Sequence, residues 1–232
     1  MTIQEGFAAP PTRHQNNVLA VQERRLLTWL CANLPSQVTP DRLTLMAFIS
    51  AGVVFAAYGL SNFDSAWLWL AVAGYVGHWF GDSLDGSIAR YRKIERPSYG
   101  YFIDHSSDGL TTLMMVGGFG LSPYVRVDVA LIAVAAYLLL SIHSFLLAKV
   151  SGDFPMSHAG MGPTEARILL IALTIAMYAV GSSAHVIGTF TVFDVIFMAV
   201  TCLLLVMFIT GTARAGRMLA GRDADQRNLR QK

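Results

Sequence analysis

Residues 82–108 read DSLDGSIARYRKIERPSYGYFIDHSSD and contain four aspartates in two pairs. Asp82 and Asp85 form the first pair, and Asp104 and Asp108 form the second pair after a basic loop. Because residues three or four apart share one face of a helix, each pair is expected to project from one side of its own helix. If the two helices form an antiparallel pair, the stretch predicts four carboxylates in a small volume.

Such a cluster of acids in or near a membrane indicates a function, because an unpaired carboxylate is costly to bury there. A divalent cation would offset that cost, and an all-oxygen ligand set suits Mg²⁺, Mn²⁺ or Ca²⁺ better than zinc. Two ions, best Mg²⁺ or Mn²⁺, would suit displacement at phosphorus. The predicted metal ligands are Asp82, Asp85, Asp104 and Asp108. In the alternative, the acids cap helices and pair with the basic loop residues Arg90, Arg92, Lys93 and Arg96.

The composition indicates an integral membrane protein with a single domain. Of the 232 residues, 54% are hydrophobic and only 14% are charged, and the mean hydropathy is +0.49. The lipid bilayer is therefore an expected partner, and we expect no nucleic-acid partner. Cys31 and Cys202 are predicted to be reduced and structural, without a disulfide.

Six apolar segments are each near the roughly 20 residues that span a bilayer. They cover residues 43–61, 65–88, 100–121, 127–149, 166–188 and 192–213. The predicted fold is therefore an all-α polytopic membrane protein whose six-helix transmembrane domain covers 39–217. Residues 1–16 are predicted to be disordered and residues 218–232 to form a basic cytoplasmic tail. An amphipathic helix over 17–35 is predicted to lie in the membrane interface, with packing on a soluble partner as the alternative.

The positions of lysine and arginine predict the orientation in the membrane. Of the 17 basic residues, only Arg126 lies in a loop on the side opposite to the others. Because short cytoplasmic loops carry an excess of basic residues, both termini and the four aspartates are expected on the cytoplasmic side. Two polar residues lie inside apolar segments. His143 is predicted to make an interhelical hydrogen bond or to face the site, and Asp194 to start a helix.

The acidic stretch resembles the signature of the CDP-alcohol phosphotransferase family. Asp82-x-x-Asp85-Gly86-x-x-Ala89-Arg90 is followed, after nine residues, by Gly100-x-x-x-Asp104-x-x-x-Asp108, and all eight fixed positions are filled. The nine-residue gap is long for the family, and Asp41 stands where asparagine usually follows the proline of the first span. The resemblance implies a homodimeric phospholipid-synthesis enzyme of the bacterial inner membrane. Such an enzyme transfers a group from a CDP-alcohol to a hydroxyl and releases CMP.

The resemblance also implies roles for individual residues. The residues expected to hold the cytidine diphosphate are Asp82, Gly86, Ala89, Arg90 and Gly100. Asp104, His105 and Asp108 are the expected catalytic residues. Asp108 is favoured as the general base for the acceptor hydroxyl, and His105 is the competing base. With 3.6 residues per turn, His105 is expected to point about 100° away from the aspartates.

Similarities to two groups of enzymes predict different substrates. Lys149, Arg167 and Arg214 are spaced as in the phosphatidylinositol-phosphate synthases, whose basic pocket holds the phosphate of inositol phosphate. These three are therefore the predicted acceptor-binding residues, with CDP-diacylglycerol as donor, unless they are only snorkelling residues at helix ends. The Asp104-His105 pair instead resembles choline and ethanolamine phosphotransferases, which act on diacylglycerol. An aromatic cage for a quaternary amine would then draw on Tyr75, Trp79, Tyr99 and Tyr101.

Two further readings belong to other classes of protein. Acids inside a helix bundle also mark ion paths, so a divalent-cation transporter is one alternative. It predicts carboxylates near the middle of the membrane, whereas these four lie toward one surface. A membrane scaffold that has lost activity is the other alternative, but the complete set of aspartates disfavours it.

Overall fold

The computed structural model describes residues 12–14, 19–151, 153–155, 162–182 and 185–230, and this part of the chain is predominantly helical. Its α-helices are α1 (Ala20–Asn33), α2 (Pro40–Leu60), α3 (Trp67–Tyr91), α4 (Pro97–Gly117), α5 (Val127–Ser151), α6 (Pro163–Val180) and α7 (Val192–Arg230). A short 3₁₀ helix, Gly118–Leu121, follows α4 directly. The predicted all-α class is confirmed. Most of the segment 1–16, predicted to be disordered, lies outside the described residues.

Four short strands pair outside the helices. Strand β1 (Thr12–His14) runs parallel to β2 (Asp153–Pro155), and β3 (His185–Ile187) runs antiparallel to β4 (Phe190–Thr191). The second pair immediately precedes α7. Neither pair adds a layer to the helical bundle.

Four of the described helices are long and apolar enough to cross a membrane. They are Pro40–Leu60, Val127–Val150, Pro163–Val180 and Val192–Arg230. Helices α3 and α4 do not meet the same criterion, because the aspartates and other polar residues lower their hydropathy. The chain is thus an integral membrane protein, and the six-span count stays a prediction. Helix α7 also continues without a break through residue 218, where a separate tail was predicted to begin.

Three helices begin with proline near one end of the bundle. Pro40, Pro97 and Pro163 lie in the first turns of α2, α4 and α6, where a missing N–H costs no helical hydrogen bond. The Thr39 hydroxyl also accepts from the Arg42 N–H at 3.3 Å, which caps α2. The cytoplasmic end predicted from the basic residues is therefore where α2, α4 and α6 start and α3, α5 and α7 end.

Helix α3 packs on α2 through a stripe of glycines. A Cβ added to Gly81 would lie 2.5 Å from the Leu43 carbonyl oxygen, and one added to Gly74 would lie 2.7 Å from Val54 Cγ2. Neither distance is tolerable, so only glycine permits this separation of the two backbones. Gly77 lies between them on the same stripe, where an added Cβ would lie 2.7 Å from Ser50 Oγ.

Hydrogen bonds between side chains of different helices hold the bundle together. The Tyr58 hydroxyl lies 2.6 Å from the Thr174 hydroxyl and 3.2 Å from the Tyr75 hydroxyl, which joins α2, α3 and α6. His143 Nδ1 lies 3.2 Å from Thr212 Oγ1, so the predicted interhelical contact of His143 is confirmed. These contacts place α5 alongside α7 and α6 alongside α3.

Asp194 fixes the opposite end of the bundle. Its fully buried carboxylate accepts hydrogen bonds from the backbone N–H groups of Arg126 at 2.8 Å and Thr191 at 2.9 Å. The predicted role of Asp194 at a helix start is thereby confirmed. Both cysteines are free, as predicted: Cys31 is buried and Cys202 is exposed.

Candidate active site

The four aspartates lie at the same end of the bundle and act on one another electrostatically. Asp82 and Asp85 lie in the last turns of α3, while Asp104 lies in the first half of α4 and Asp108 at its middle. Asp82, Asp85 and Asp104 all lie close enough to Asp108 to repel its negative charge. Asp104 likewise repels Asp85 across the two helices. The two pairs therefore face a common volume, as the spacing predicted.

Helix α2 supports the two helices that carry the carboxylate pairs. Helix α2 packs against both, whereas α3 and α4 have little direct backbone contact in the described part of the chain. The expected close pairing of α3 with α4 is thus replaced by packing of both helices on α2.

Thr44 of α2 orients Asp85. Its hydroxyl donates to Asp85 Oδ2 at 2.6 Å, and the Gly86 N–H donates to Asp85 Oδ1 at 2.5 Å. Both carboxylate oxygens are therefore held, which fixes the side chain relative to the helix axis. The acidic motif itself does not single out Thr44. The signal in the sequence was a hydroxyl at the start of the first apolar segment, at the end of the bundle where the acidic site was predicted.

Arg167 enters the acidic cluster. This buried guanidinium donates to Asp82 Oδ2 at 2.5 Å, and its side chain is only 9% exposed. Removal of either partner would leave an uncompensated charge in a poorly solvated place. Lys149 and Arg214 are exposed, and the described residues give neither of them an ion pair. Of the three predicted acceptor-binding residues, the fold therefore brings Arg167 to the aspartates.

His105 lies closer to the aspartates than its position on the helix predicts. Its ring stacks on Phe145 at 4.7 Å between centroids and packs on Tyr101 at 4.2 Å. Its Nδ1 atom lies 3.5 Å from Asp104 Oδ2. The expectation that His105 points away is therefore wrong. The Cα–Cβ bonds do diverge, but the two aromatic rings hold the imidazole back against the aspartates.

The donor atoms of the acidic cluster fit a divalent cation. One ligand atom each from Asp104, His105 and Asp108 lies within 4.8 Å of the other two. The Asp82 and Asp85 carboxylates adjoin this group, so the donors are mainly hard oxygens with one imidazole nitrogen. That set suits Mg²⁺ or Mn²⁺ and is poor in the thiolates that structural zinc prefers.

The two glycines of the acidic stretch leave room beside the aspartates. A Cβ added to Gly100 would meet no atom within 4 Å, and one added to Gly86 would meet only the Arg90 guanidinium, at 3.3 Å from Nη1. Ala89 is only partly buried and adds little bulk. The nucleotide site expected from the resemblance is thus sterically open.

Arg92 and Arg96, two of the loop cations, are engaged away from the four aspartates. Arg92 donates to carbonyl oxygens between α1 and α2, at 3.0 Å from Leu34 and 2.5 Å from Val38. Arg96 forms an ion pair with Asp41. The alternative in which this loop neutralises the acids therefore fails for these two arginines.

The aromatic residues near the acidic stretch do not surround one point. Tyr75 is fully buried among core residues, and Trp79 donates its indole N–H to Glu23 at 3.0 Å. Tyr101 packs on His105, and Tyr99 lies under the Arg96 guanidinium at 4.2 Å. The four rings thus do not form the cage that a quaternary amine would require.

Known sequences agree with this arrangement. The family model described as CDP-alcohol phosphatidyltransferase matches residues 37–214, which include every aspartate of the site. A relative named archaetidylinositol phosphate synthase, from Pyrococcus horikoshii, is 26% identical over 152 residues, covering 65% of this chain and 76% of the relative. The filled motif, the facing carboxylates and a match over well more than half of the chain place this protein in the CDP-alcohol phosphatidyltransferase family.

Proposed function

We propose that this protein transfers the phosphatidyl group of CDP-diacylglycerol to a hydroxyl of inositol phosphate, or of a similar phosphorylated alcohol, and releases CMP. Membership of the family makes the chain a phospholipid-synthesis transferase that uses CDP-alcohol and lipid substrates in a membrane. The observation that carries the finer proposal is the buried Arg167 guanidinium at the acidic cluster. The relative from Pyrococcus horikoshii is named as a synthase of archaetidylinositol phosphate, and this name supports the same acceptor.

Asp108 is the proposed general base. Its carboxylate takes the proton of the acceptor hydroxyl while the hydroxyl oxygen forms a bond to the β-phosphorus of the CDP-alcohol. The bond between that phosphorus and the oxygen bridging to CMP breaks, and CMP leaves with the electron pair.

The remaining residues bind and orient the donor. The proposed ligands of two Mg²⁺ or Mn²⁺ ions are Asp82, Asp85, Asp104 and Asp108. When bound, such ions neutralise the diphosphate and polarise its phosphorus–oxygen bonds. Arg90 offers a planar fork to a phosphate, and Gly86 and Gly100 leave space for the nucleotide. Arg167 would bind the phosphate of the acceptor through its guanidinium.

The proposed setting is the bacterial inner membrane, with six spans and both termini in the cytoplasm. The acidic site then faces the cytosol, where a soluble phosphorylated acceptor and the leaving CMP can diffuse. Helix α1 lies in the interface, since Val21 and Trp29 are about 60% exposed beside basic residues. We further propose a homodimer, as the resemblance implies.

Release of CMP tests the reaction class. The purified full chain in lipid nanodiscs is expected to release CMP from radiolabelled CDP-diacylglycerol only when both Mg²⁺ and a phosphorylated acceptor are present. Mass spectrometry of the lipid product then identifies the acceptor from a panel. A divalent-cation transporter or an inactive scaffold would release no CMP from any donor in the panel.

Substitution of the basic residues tests the acceptor site. For Lys149→Ala and Arg167→Ala, we expect KM for inositol phosphate to rise at least about tenfold, which is about 1.4 kcal/mol of lost phosphate binding. Selectivity for inositol phosphate over inositol should fall by a similar factor. Arg217→Ala is the control, because this arginine of α7 is exposed, as Lys149 is. An unchanged KM for every anionic acceptor would show that Lys149 and Arg167 do not bind the acceptor. They would then serve only to orient the protein in the membrane.

One observation favours a second candidate, transfer of phosphocholine or phosphoethanolamine to diacylglycerol. His105 follows Asp104 and lies against it, as the similarity to choline and ethanolamine phosphotransferases requires. The dispersed aromatic rings count against a bound quaternary amine. CDP-choline and CDP-ethanolamine therefore belong in the donor panel, and turnover of either with diacylglycerol would replace the first candidate.

A further inference from the structure

We propose that Glu23 of α1 is a positioning residue that holds α6 against α3 and thereby sets Arg167 opposite Asp82. Its effect on turnover rests on the proposed function. Its effect on the helices does not, and it can be measured separately. Glu23 lies outside the acidic stretch and no part of the proposed mechanism uses it.

One oxygen of Glu23 receives hydrogen bonds from two helices. Glu23 Oε1 accepts from Trp79 Nε1 at 3.0 Å, from Ser83 Oγ at 3.5 Å and from Thr164 Oγ1 at 2.5 Å. Trp79 and Ser83 lie on α3, and Thr164 lies in the first turn of α6. Hydrogen bonds to a charged acceptor are stronger than neutral ones, so this carboxylate is an effective junction.

The three donors lie beside the Arg167–Asp82 pair in the chain. Ser83 directly follows Asp82, and Thr164 precedes Arg167 by three residues, which is one helical turn. The junction at Glu23 and the ion pair therefore join the same turns of α3 and α6. A shift of α6 on α3 would have to break both connections.

A second hydrogen bond connects the starts of α1 and α6, and here the accepting carboxylate belongs to α6. Glu165 Oε1 of α6 accepts from the Leu19 N–H, which precedes α1, at 3.1 Å. Glu165 Oε2 also accepts from the Gly162 N–H at 3.1 Å and so caps α6. The starts of α1 and α6 are thus connected twice, once through an acid of each helix. This reciprocity makes α1 a clamp on α6 and not merely a covering helix.

The clamp matters because catalysis depends on small distances. A misplacement of about 1 Å by a remote substitution can lower a rate by about 10²-fold. Glu23 acts through Arg167 and Asp82 and touches no reacting atom in this proposal. Its loss is therefore expected to weaken cation binding and turnover together.

The test compares Glu23→Ala, Glu23→Gln and Gln22→Ala in the full chain in nanodiscs. Gln22 is the exposed neighbour and serves as the control. For Glu23→Ala we expect kcat for CMP release to fall about 30-fold and Kd for Mn²⁺ alone, followed by electron paramagnetic resonance, to rise about fivefold. Glu23→Gln keeps an acceptor oxygen and should remain within about threefold of wild type. A loss of folded protein alone lowers kcat but leaves the Kd for Mn²⁺ unchanged.

Amide hydrogen exchange supplies a readout that needs no turnover. We expect residues 163–168 to exchange at least about tenfold faster in Glu23→Ala, with α5 unchanged. If Glu23→Ala does not fold, Thr164→Val removes only the donor from α6 and should produce the same local change. Unchanged exchange at 163–168, or an unchanged Kd for Mn²⁺, would overturn the positioning role whatever the activity. If hydrogen exchange and the Kd for Mn²⁺ both change but the wild-type chain releases no CMP, the positioning role of Glu23 is supported. The proposed function is then wrong.

Discussion

Asp85→Asn is expected to lower CMP release by roughly 10³-fold, about 4 kcal/mol in the activation free energy. Asp85 adjoins the other three carboxylates, and its two oxygens are oriented by Thr44 and Gly86. Asparagine has the same shape and can accept the Thr44 hydrogen bond, but it cannot supply the negative charge that a divalent cation requires. The fold should survive, because removal of one charge also relieves repulsion in the cluster.

Two measurements make this result specific. Binding of Mn²⁺ to Asp85→Asn should be lost together with activity, while thermal unfolding stays close to wild type. The control is Asp128→Asn, since Asp128 is an exposed aspartate at the far end of the bundle that pairs with Arg126. It should keep activity within about threefold, as exposed ion pairs contribute little. Near-normal turnover in Asp85→Asn would remove the metal hypothesis.

Asp108→Asn is expected to lower kcat by about 10³-fold, the range over which general bases contribute. Asparagine cannot take a proton from the acceptor hydroxyl, although it preserves the packing of α4. The signature is in the pH dependence of kcat/KM, from which the limb due to the base should vanish. His105→Gln should keep that limb and lose less than about tenfold, because the His105 ring is held mainly by Phe145 and Tyr101.

The two variants together decide between the candidate bases. If His105→Gln loses the pH limb while Asp108→Asn keeps it, the imidazole is the base and the assignment of Asp108 is wrong. His105 lies against Asp104, so the imidazole competes with Asp108 more closely than its position along the helix predicted. Addition of Mn²⁺ at saturating concentration to both variants separates loss of the base from loss of a metal ligand.

The sequence was informative where the deciding contacts are local. Spacings of three and four along residues 82–108 predicted which acids share a face, because helical geometry alone fixes that relation. Apolar length predicted α2, α5, α6 and α7 as helices able to cross a membrane. The helix ends were less predictable: α6 stops at Val180, short of the predicted 188, and α7 continues to Arg230.

Side-chain placement between distant segments was largely beyond the sequence. Tyr75 is a plausible cage residue by position, yet it is a buried core residue bonded to Tyr58. His105 was expected to diverge from the aspartates, and Phe145 of another helix holds it near them. In both cases a residue on a different helix determines where the side chain lies. The sequence pattern of a single segment does not reveal that residue.

The order of residues by itself determined a helical membrane protein with an acidic motif at one end, since composition and helical period act within a single turn or span. Only the tertiary structure decided that Arg167 lies on Asp82, Thr44 on Asp85 and Glu23 between α3 and α6. These contacts join residues 85, 41 and up to 141 positions apart. They depend on how close the packed helices come, which in turn depends on small residues such as Gly74 and Gly81.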